Sequence, residues 1–326
     1  MGKDKVVLGI DTSNYTTSLS IMDTKKRLLV DTRRVLQVKE GLVGLRQSDA
    51  LFQHIKELPN ITKNIGQSIK PAKIVAVGAS TQPRSIRGSY MPVFLVSKSL
   101  GQTISNLLDI PCYEFSHQEG HIEAGLWSLK LKFGKPFLAL HISGGTTEIL
   151  EIVPKKNTGY QIKIIGGTSD INAGQFIDRI GVELNLPFPS GGHMENMIKD
   201  KVVKDINIPV SVKNEHLSFS GPETFVQKKI KENTKDINII YSLFIAIARS
   251  LEKLINHILS KYAYDDLLVV GGVAANEVIR KYLLNSFSGR DIKLHFATTK
   301  YCSDNGVGIA SLGVDNYLAD KQNKEV

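Results

Sequence analysis

Two strand–turn–strand patterns organise the hydrophobic and polar positions along the chain. In residues 5–22, a β-branched apolar run leads through a hydroxyl-rich turn at 11–17 into a strand that alternates apolar and polar residues. Residues 136–153 repeat this design around a Ser-Gly-Gly-Thr-Thr turn at 143–147. Apolar runs bounded by small polar residues are typical of strands and turns. The repetition predicts a duplicated α/β fold in which the two turns face each other across a cleft.

The remaining patterns predict helices that alternate with buried strands. Apolar residues at helical spacing indicate the helices, and short apolar runs before glycine turns indicate the strands. The most apolar stretch, 239–248, runs into Arg249 and is shorter than the roughly 18 residues that cross a bilayer, so it predicts a buried helix. Helices are predicted at 45–67, 92–108, 117–129, 173–185 and most of 222–260, and strands at 73–80, at the start of 267–284 and at 292–298.

Length and composition favour two packed lobes. The chain has 326 residues, of which 42% are hydrophobic and 22% charged, the balance of a globular protein. We place an N-terminal lobe at 1–130 and a C-terminal lobe at 131–326, whose terminal helix packs back near the cleft. The chain enters its first strand without a signal-peptide pattern, so we expect a cytoplasmic protein without a membrane partner. In that compartment Cys112 and Cys302 are expected to stay unpaired.

The chain is basic, with a formal net charge of +9. This balance favours a polyanionic partner, because lysine and arginine that neutralise phosphates release condensed counterions. The basic residues are nevertheless spread out, in runs at 25–27, 33–34, 201–204 and 228–231. Each run is also typical of a solvated surface, so a nucleic-acid face needs a site that demands one.

Glycine-rich turns are the features of the sequence that indicate a nucleotide-binding site. In the loop formed by Ser143, Gly144, Gly145 and Thr146, successive backbone N–H groups can converge on an anion, although a plain hairpin turn uses the same residue types. A second turn at 271–276, which ends in Asn276, follows an apolar strand and opens a helix, a geometry that suits a phosphate. Neither turn is specific alone.

Two carboxylates accompany the glycines of the second half. Asp170 and Asp178 flank Gly174, and either could accept from ribose hydroxyls or hold a magnesium ion; surface capping is the alternative for Asp170. Gly191 and Gly192 complete a further turn, which a simple loop would also explain. Distributed over two lobes, the glycine turns together favour a nucleotide in the cleft.

The segment HQEGH places His117 and His121 one helical turn apart, so both imidazoles project from one face and can share an ion. A solvent-exposed histidine pair is the alternative. The order differs from the HExxH of zinc proteases, because Glu119 points elsewhere and offers no base to a metal-bound water. A third ligand is needed, and Asp304 in CSDNG is the candidate because it follows a strand and precedes a helix.

In its ordered motifs the chain resembles the TsaD/Kae/Qri family of tRNA threonylcarbamoyladenosine synthases, formerly described as O-sialoglycoprotein endopeptidases. The resemblance covers nearly the full length. Its motifs are GIDTSNYTTSLSI, LVSKSLGQTISNLLDIPCYEFSHQEGHIEAG, HISGGTTEIL, SDINAGQFIDRIG, SFSGPET, VVGGVAANEVIRKYL and YCSDNGVGIASLG, in that order. The resemblance implies the actin-like ATPase fold of hexokinase and the heat-shock chaperones.

The resemblance also implies a reaction and a set of ligands. The reaction transfers a threonylcarbamoyl group from threonylcarbamoyl-AMP to N6 of adenosine 37 in tRNA, with ATP or the acyl-adenylate, one divalent iron or zinc ion, and magnesium. The implied partners are tRNA and proteins of the TsaB and TsaE type. Family positions correspond to metal ligands at His117, His121 and Asp304, to nucleotide contacts at Ser143, Gly144, Gly145, Thr146, Asp170, Gly174, Asp178, Gly191 and Asn276, and to candidate catalytic residues at Asp11, Thr12 and Ser13.

Departures from the family pattern leave other functions open. Tyr15 and Thr16 replace an acidic pair, and Arg84 and Arg87 bring two positive charges near the cleft, while His141 precedes the Ser-Gly-Gly loop. The chain therefore resembles a divergent paralogue. The alternatives are a nucleotide- and metal-binding regulatory subunit without transfer activity and a carbamoyltransferase that acts on a small molecule.

Overall fold

The computed structural model describes residues 4–39, 41–63, 65, 69, 72–155, 159–233 and 236–324. Its N-terminal sheet has the strand order β3-β2-β1-β4-β5, in which β1, β2 and β3 are antiparallel and β4 and β5 run parallel to β1. The strands are β1 (Lys5–Thr12), β2 (Thr16–Asp23), β3 (Leu28–Val35), β4 (Lys73–Gln82) and β5 (Cys112–Ser116).

The second sheet repeats this core. Its order is β12-β11-β6-β7-β8-β10-β9, with antiparallel β6, β7 and β8, and with β11 and β12 parallel to β6. The predicted duplication of a strand–turn–strand unit is thus confirmed. The strands are β6 (Phe137–Ile142), β7 (Thr147–Pro154), β8 (Tyr160–Thr168), β9 (Ser211–Lys213), β10 (His216–Ser218), β11 (Asp266–Val270) and β12 (Lys293–Phe296).

Helices cover the sheets, and the predicted helix at 117–129 is confirmed from end to end. The predicted core helix at 239–248 lies within a longer helix at Ile237–Leu259, most of whose apolar side chains are buried. The helix predicted to reach residue 67 ends at Thr62, and residues 64 and 66–67 lie outside the described part. None of the described helices has the length and apolarity to span a membrane.

The helices are α1 (Gln47–Thr62), α2 (Phe94–Leu108), α3 (His117–Leu129), α4 (Ala173–Glu183), α5 (Gly191–Ile198), α6 (Ser220–Glu232), α7 (Ile237–Leu259), α8 (Glu277–Ser286), the short α9 (Thr299–Cys302) and α10 (Val307–Lys324), with a 3₁₀ turn at Gly272–Ala275.

Helix α3 packs closely against the terminal helix α10, which also contacts β1 and β4 of the first sheet. A β-carbon built on Gly308 would lie 1.9 Å from the carbonyl oxygen of Gly120, and one built on Gly9 would lie 2.3 Å from the backbone nitrogen of Ala310. Glycine at these crossings lets the backbones approach closely. The end of the chain therefore packs on the first sheet, and the division at residue 130 stays a prediction.

Replacing Gly308 with alanine is expected to lower the free energy of unfolding by about 3 kcal/mol or more, the upper end of the usual cost of overpacking a core. The new methyl group would force α10 away from α3, because the atom it meets belongs to the backbone. Urea unfolding measures the change against Gly134→Ala, where a β-carbon meets no atom within 4 Å. Equal midpoints for the two variants would contradict this description of the crossing.

Candidate functional site

A cavity of about 480 Å³ lies between the two sheets and contains both predicted turns. One wall carries residues 13–16 of the first turn, and the other carries residues 143–146 of the second turn. Segments 188–192 and 272–276 extend the second wall. Cavities of this size are typical of small-molecule and cofactor sites. The duplicated fold thus brings the hydroxyl-rich and glycine-rich turns into one cleft.

His117, His121 and Asp304 converge at the floor of this cleft, where His117 and Asp304 line the cavity and His121 is buried behind them. The Nε2 atoms of the two histidines are 3.1 Å apart, and Asp304 Oδ1 lies 3.1 Å from His121 Nε2 and 3.5 Å from His117 Nε2. Ligand atoms about 2.1 Å from one ion are separated by roughly 3.0–3.4 Å in octahedral or tetrahedral shells. The three side chains therefore have the donor types and the spacing to hold one metal ion.

The start of α3 fixes the two histidines. Ser116 caps the helix by accepting from the Glu119 backbone N–H at 3.1 Å, and Glu119 accepts from the Ser116 backbone N–H at 2.9 Å. This reciprocal capping sets the first helical residue at His117, so His121 follows one turn later on the same face. Glu119 is thereby used as a capping residue and not as a base.

Carboxylates surround the histidine pair. Asp11 Oδ1 lies 2.9 Å from His117 Nδ1, and the Ser13 hydroxyl donates to Asp304 Oδ2 at 2.5 Å. Burial would lower the pKa of His117, but the Asp11 and Asp304 carboxylates outweigh it and raise that pKa to about 10. Burial opposes ionisation of Asp304, yet its hydrogen bonds with His117 and His121 hold its pKa well below the usual range. The two carboxylates thus favour positive charge at this position, and a metal ion that binds there has to displace the proton of His117.

The glycine-rich loop packs directly on the start of α4. The Gly174 backbone N–H donates to the Ser143 carbonyl at 3.1 Å, and the Ser143 N–H donates to the Thr146 carbonyl at 2.7 Å. A β-carbon built on Gly174 would lie 2.7 Å from the Cα and the backbone nitrogen of Gly144. Only a glycine permits this contact, which joins the loop to a helix N-terminus, a common anion-binding arrangement.

Asp178, Gly191 and Asn276 line the same wall. Asp178 accepts the Ser190 backbone N–H at 2.8 Å, and burial raises its pKa to about 6 against that hydrogen bond. Asn276 Oδ1 caps α8 by accepting the Ile279 N–H at 3.0 Å, while its Nδ2 is buried with no hydrogen-bond partner among the described residues. A ligand hydroxyl or ring nitrogen would satisfy such a donor.

Asp170 and Thr12 do not line this cavity. The Asp170 carboxylate accepts from the backbone N–H groups of Phe219 and Ser220 and from the Ser218 hydroxyl, and these bonds outweigh desolvation and lower its pKa. It therefore supports the start of α6, as the capping alternative supposed. Thr12 Oγ1 donates to the Val93 carbonyl at 2.9 Å and holds the loop before α2.

Stability should depend on pH through Asp178. The unfolded aspartate titrates near pH 3.9, so between about 4 and 6 the folded state binds more protons, and the wild type loses stability as pH rises. We expect the wild type to lose about 2 kcal/mol relative to Asp178→Asn between pH 4.5 and 7.5. Urea unfolding of both proteins measures this difference, and a pH-independent difference would contradict it.

The sequence interpretation missed His54, which the fold brings under the first turn. His54 is fully buried, its Nδ1 lies 2.8 Å from Thr17 Oγ1, and its Nε2 lies 2.7 Å from the Ser13 carbonyl oxygen. The ring thus clamps both ends of the turn whose Ser13 hydroxyl binds Asp304. Separated by about 40 residues, these positions carry no local signal that could have linked them.

Replacing His54 with alanine is expected to weaken metal binding by up to about 10-fold, because His54 acts on the ligand Asp304 through Ser13, and groups bonded directly to a ligand contribute about 10–100-fold. Two buried partners also lose their hydrogen bonds, at about 1–3 kcal/mol each. Competition with a chromophoric chelator measures zinc affinity, and urea unfolding measures stability, both beside His216→Ala, whose side chain is exposed. Unchanged zinc affinity in the His54 variant would contradict a positioning role.

Two contacts cross the cleft. The Arg84 guanidinium pairs with Glu148 on β7, with Nη2 2.6 Å from Oε1, whereas Arg87 is exposed. Tyr15 packs against Phe188, with ring centroids 5.1 Å apart. His141, which ends β6, is buried beside His121 and has no hydrogen-bond partner among the described residues. Of the two arginines that were predicted to bring positive charge near the cleft, Arg84 is paired with Glu148 and only Arg87 is exposed.

The two sheets and the cleft between them define an actin-like ATPase fold, in agreement with solved structures. The chain is similar to the activator of the 2-hydroxyisocaproyl-CoA dehydratase from Clostridium difficile, with a TM-score of 0.56 and 13% identity over 98% of each chain. It is also similar to HypF from T. kodakarensis, with a TM-score of 0.61 and 14% identity over 97% of this chain and 48% of that one. These likenesses define the fold alone.

The chain belongs to the TsaD family, described as tRNA N6-adenosine threonylcarbamoyltransferase, whose model matches residues 37–311. It is 29% identical to relatives of that name from Buchnera aphidicola, with 95% of this chain and 92% of the relative covered, and from Carboxydothermus hydrogenoformans, with 97% and 94% covered. A "Probable bifunctional tRNA threonylcarbamoyladenosine biosynthesis protein" from Thermoplasma acidophilum is 28% identical over 96% of this chain, which spans 56% of that relative's length.

Proposed function

We propose that the protein transfers a threonylcarbamoyl group from threonylcarbamoyl-AMP to N6 of adenosine 37 in tRNA. The convergence of His117, His121 and Asp304 with the glycine-rich loop in one cleft carries this proposal. The full-length similarity to tRNA N6-adenosine threonylcarbamoyltransferases supports it. In the reaction the N6 amine bonds to the carbamoyl carbon, the bond from that carbon to the phosphate oxygen breaks, and AMP leaves with loss of an amine proton.

The second wall is suited to hold the donor. The glycines of the loop Ser143–Thr146 allow a phosphate to approach the loop backbone, and Asp178 and Asn276 offer an acceptor and a donor to the nucleoside. This arrangement leaves the acyl end directed across the cleft, towards His117 and Asp304. Asp170, which supports α6, has no part in it.

The floor of the cleft is suited to a divalent iron or zinc ion held by His117, His121 and Asp304. Bound there, the ion would polarise the carbamoyl carbonyl or the phosphate and stabilise the developing charge. Asp11 orients His117 through Nδ1, and Ser13 orients Asp304 through its hydroxyl, so that the ligand atoms are held in place before binding. Of the three candidate catalytic residues, Asp11 and Ser13 thus act by positioning ligands, and Thr12 supports the loop before α2.

The proposed partners are tRNA and proteins of the TsaB and TsaE type, in the cytoplasm. Arg33 lines the cavity on the first-sheet side and donates to the carbonyl of the exposed Lys300, and both cations contribute to the net charge of +9. An apolar face on α1 and α2, formed by Phe52, Ile55 and Leu95 with exposures of 62%, 55% and 44%, is available to a partner protein. Exposed apolar groups of this kind mark interaction sites.

Transfer of labelled threonine from threonylcarbamoyl-AMP to tRNA tests the proposed function. We expect label in tRNA that carries adenosine 37 and none in the same tRNA with guanosine 37. The affinity for tRNA should fall with a log–log salt slope of roughly −0.9 per phosphate neutralised. Label in neither tRNA, from a protein that binds the adenylate and is supplied with partner proteins, would overturn the proposal.

A paralogue that binds nucleotide and metal but does not transfer the group is the second candidate. The Tyr15–Phe188 contact and the Arg84–Glu148 pair favour it, because both bridge the cleft through which an acceptor must pass. Adenylate binding without product would support this function, and product from the Tyr15→Asp, Thr16→Glu double variant would show which residues block transfer. A small-molecule acceptor, in contrast, would give labelled product whose formation hardly depends on salt.

A further inference from the structure

Tyr15 and Phe188 form an aromatic pair at the mouth of the cleft, with one ring from each lobe. Their ring centroids are 5.1 Å apart and their planes are inclined by 47°. Tyr15 belongs to the turn between β1 and β2, and Phe188 to the loop before α5. Both rings are half-buried and both line the cavity. A molecule that enters the cleft therefore meets aromatic surface.

Tyr15 connects the reaction centre to the outer rim. Its backbone N–H donates to Ser13 Oγ at 3.4 Å, and the Ser13 hydroxyl donates to Asp304. At its other end, a β-carbon built on Gly44 would lie 2.6 Å from the Tyr15 hydroxyl. Gly44 lies in a surface segment in which Leu42 and Val43 are about half exposed, at 50% and 49%. The Tyr15 side chain thus lies between the solvent-exposed segment and the proposed metal ligand Asp304.

The wall that carries Tyr15 lies opposite the proposed donor-binding loops. The acceptor has to approach the carbamoyl carbon from this side, because Ser143–Thr146 and Gly174 occupy the other. Tyr15, Met91 and Phe94 give the first wall an apolar section beside the polar Ser13, Asn14 and Thr16. Flat nucleobases bind such surfaces by stacking, which suits an unpaired base that has left its own stack.

We propose that Tyr15, backed by Phe188, is the platform on which the acceptor adenine stacks, and that it selects an unstacked RNA base as acceptor. This inference rests on the proposed function and names a specificity-determining residue for it. Stacking on Tyr15 would hold the adenine ring at the rim of the cleft, with the edge of the adenine towards Ser13 and Asp304. The exocyclic amine of the base then faces the group that activates the donor.

A double-mutant cycle between the protein and the RNA tests the platform. The ligands are an anticodon stem-loop RNA with adenosine at position 37 and the same RNA with an abasic site there. The proteins are the full-length wild type, Tyr15→Phe, Tyr15→Leu and Tyr262→Leu, which removes an exposed aromatic ring of the other lobe. Fluorescence anisotropy gives the affinity for each RNA, and calorimetry gives the affinity for threonylcarbamoyl-AMP.

We expect removal of the base to weaken wild-type binding by roughly 5- to 150-fold, the range for one stacked base. The Tyr15→Phe and Tyr262→Leu proteins should show the same loss. In Tyr15→Leu, binding of the intact RNA should already be weakened by this factor and removal of the base should cost little more. The affinity for threonylcarbamoyl-AMP should stay within about 2-fold of wild type in all three variants.

Two results would overturn the platform: an equal effect of the abasic site in wild type and Tyr15→Leu, or a parallel loss of adenylate affinity in Tyr15→Leu. Product formation by the wild type, measured on the intact RNA after addition of threonylcarbamoyl-AMP and the partner proteins, reports the proposed function separately. Product without coupling between Tyr15 and the base would overturn the platform and leave the transfer activity intact. Coupling without product would support the platform and contradict transfer.

Discussion

Replacing Asp304 with alanine is expected to remove bound metal, with a loss of affinity of more than about 100-fold. Asp304 Oδ1 lies 3.1 Å from His121 Nε2 and 3.5 Å from His117 Nε2, so its loss leaves two imidazoles without the anionic ligand. Loss of outer-shell groups alone costs about 10–100-fold, and a direct ligand should cost more. Elemental analysis of purified protein, reconstituted with iron or zinc, measures the occupancy, and His117→Ala should behave in the same way.

Matched controls separate this effect from a general loss of structure. Asp291→Ala and His216→Ala remove the same side-chain types at exposed positions in or beside the second sheet and should keep the wild-type metal content. Wild-type metal content in both Asp304→Ala and His117→Ala would show that the ion, if one binds, is held elsewhere. The metal assignment would then be abandoned.

Replacing Gly174 with alanine is expected to reduce kcat/KM for threonylcarbamoyl-AMP by about 100-fold, the effect of a displacement of roughly 1 Å in a reacting complex. The new methyl group would lie 2.7 Å from the Cα and the nitrogen of Gly144 and from the Ser143 carbonyl oxygen, and therefore has to push the loop away from α4. Steady-state transfer kinetics and calorimetric titration with the adenylate measure the loss.

The metal site provides the internal control for this variant. His117, His121 and Asp304 lie outside the contact that Gly174 makes, so the variant should retain its metal. Gly221→Ala, at which a β-carbon meets no atom within 4 Å, should behave as wild type in both assays. A Gly174→Ala protein that binds and uses the adenylate normally would exclude the loop as a phosphate site.

The duplicated fold could be predicted because its signals are local. Each strand–turn–strand unit combines β-branched runs with a turn of small polar residues, and α3 carries its own reciprocal cap. The pattern missed β3, in which Asp31, Arg33 and Arg34 interrupt the apolar run at the sheet edge, and it missed β5, which has only five residues. Short or edge strands depend on their neighbours more than on their own composition.

The candidate site was only partly predictable, because some of its residues come together from distant parts of the chain and carry no local signal. The spacing of His117 and His121 predicts a shared helix face. Asp304 joins them from the far end of the chain, where its place between a strand and a helix made it a candidate that only the fold could bring to the pair. His54 and Phe188 reach the site through packing that leaves no pattern in the sequence. For Asp170 the sequence signal was present but ambiguous. A carboxylate beside a glycine turn can bind a ligand or accept from the N–H groups at a helix start, and Asp170 does the latter.

Nucleoside mass spectrometry on unmodified tRNA, incubated with the metal-loaded protein, threonylcarbamoyl-AMP and partner proteins of the TsaB and TsaE type, tests the central claim most directly. We expect threonylcarbamoyladenosine at position 37, formed by the wild type and not by Asp304→Ala. The absence of modified nucleoside, from a protein shown by calorimetry to bind the adenylate and by elemental analysis to hold its metal, would contradict the proposed transfer.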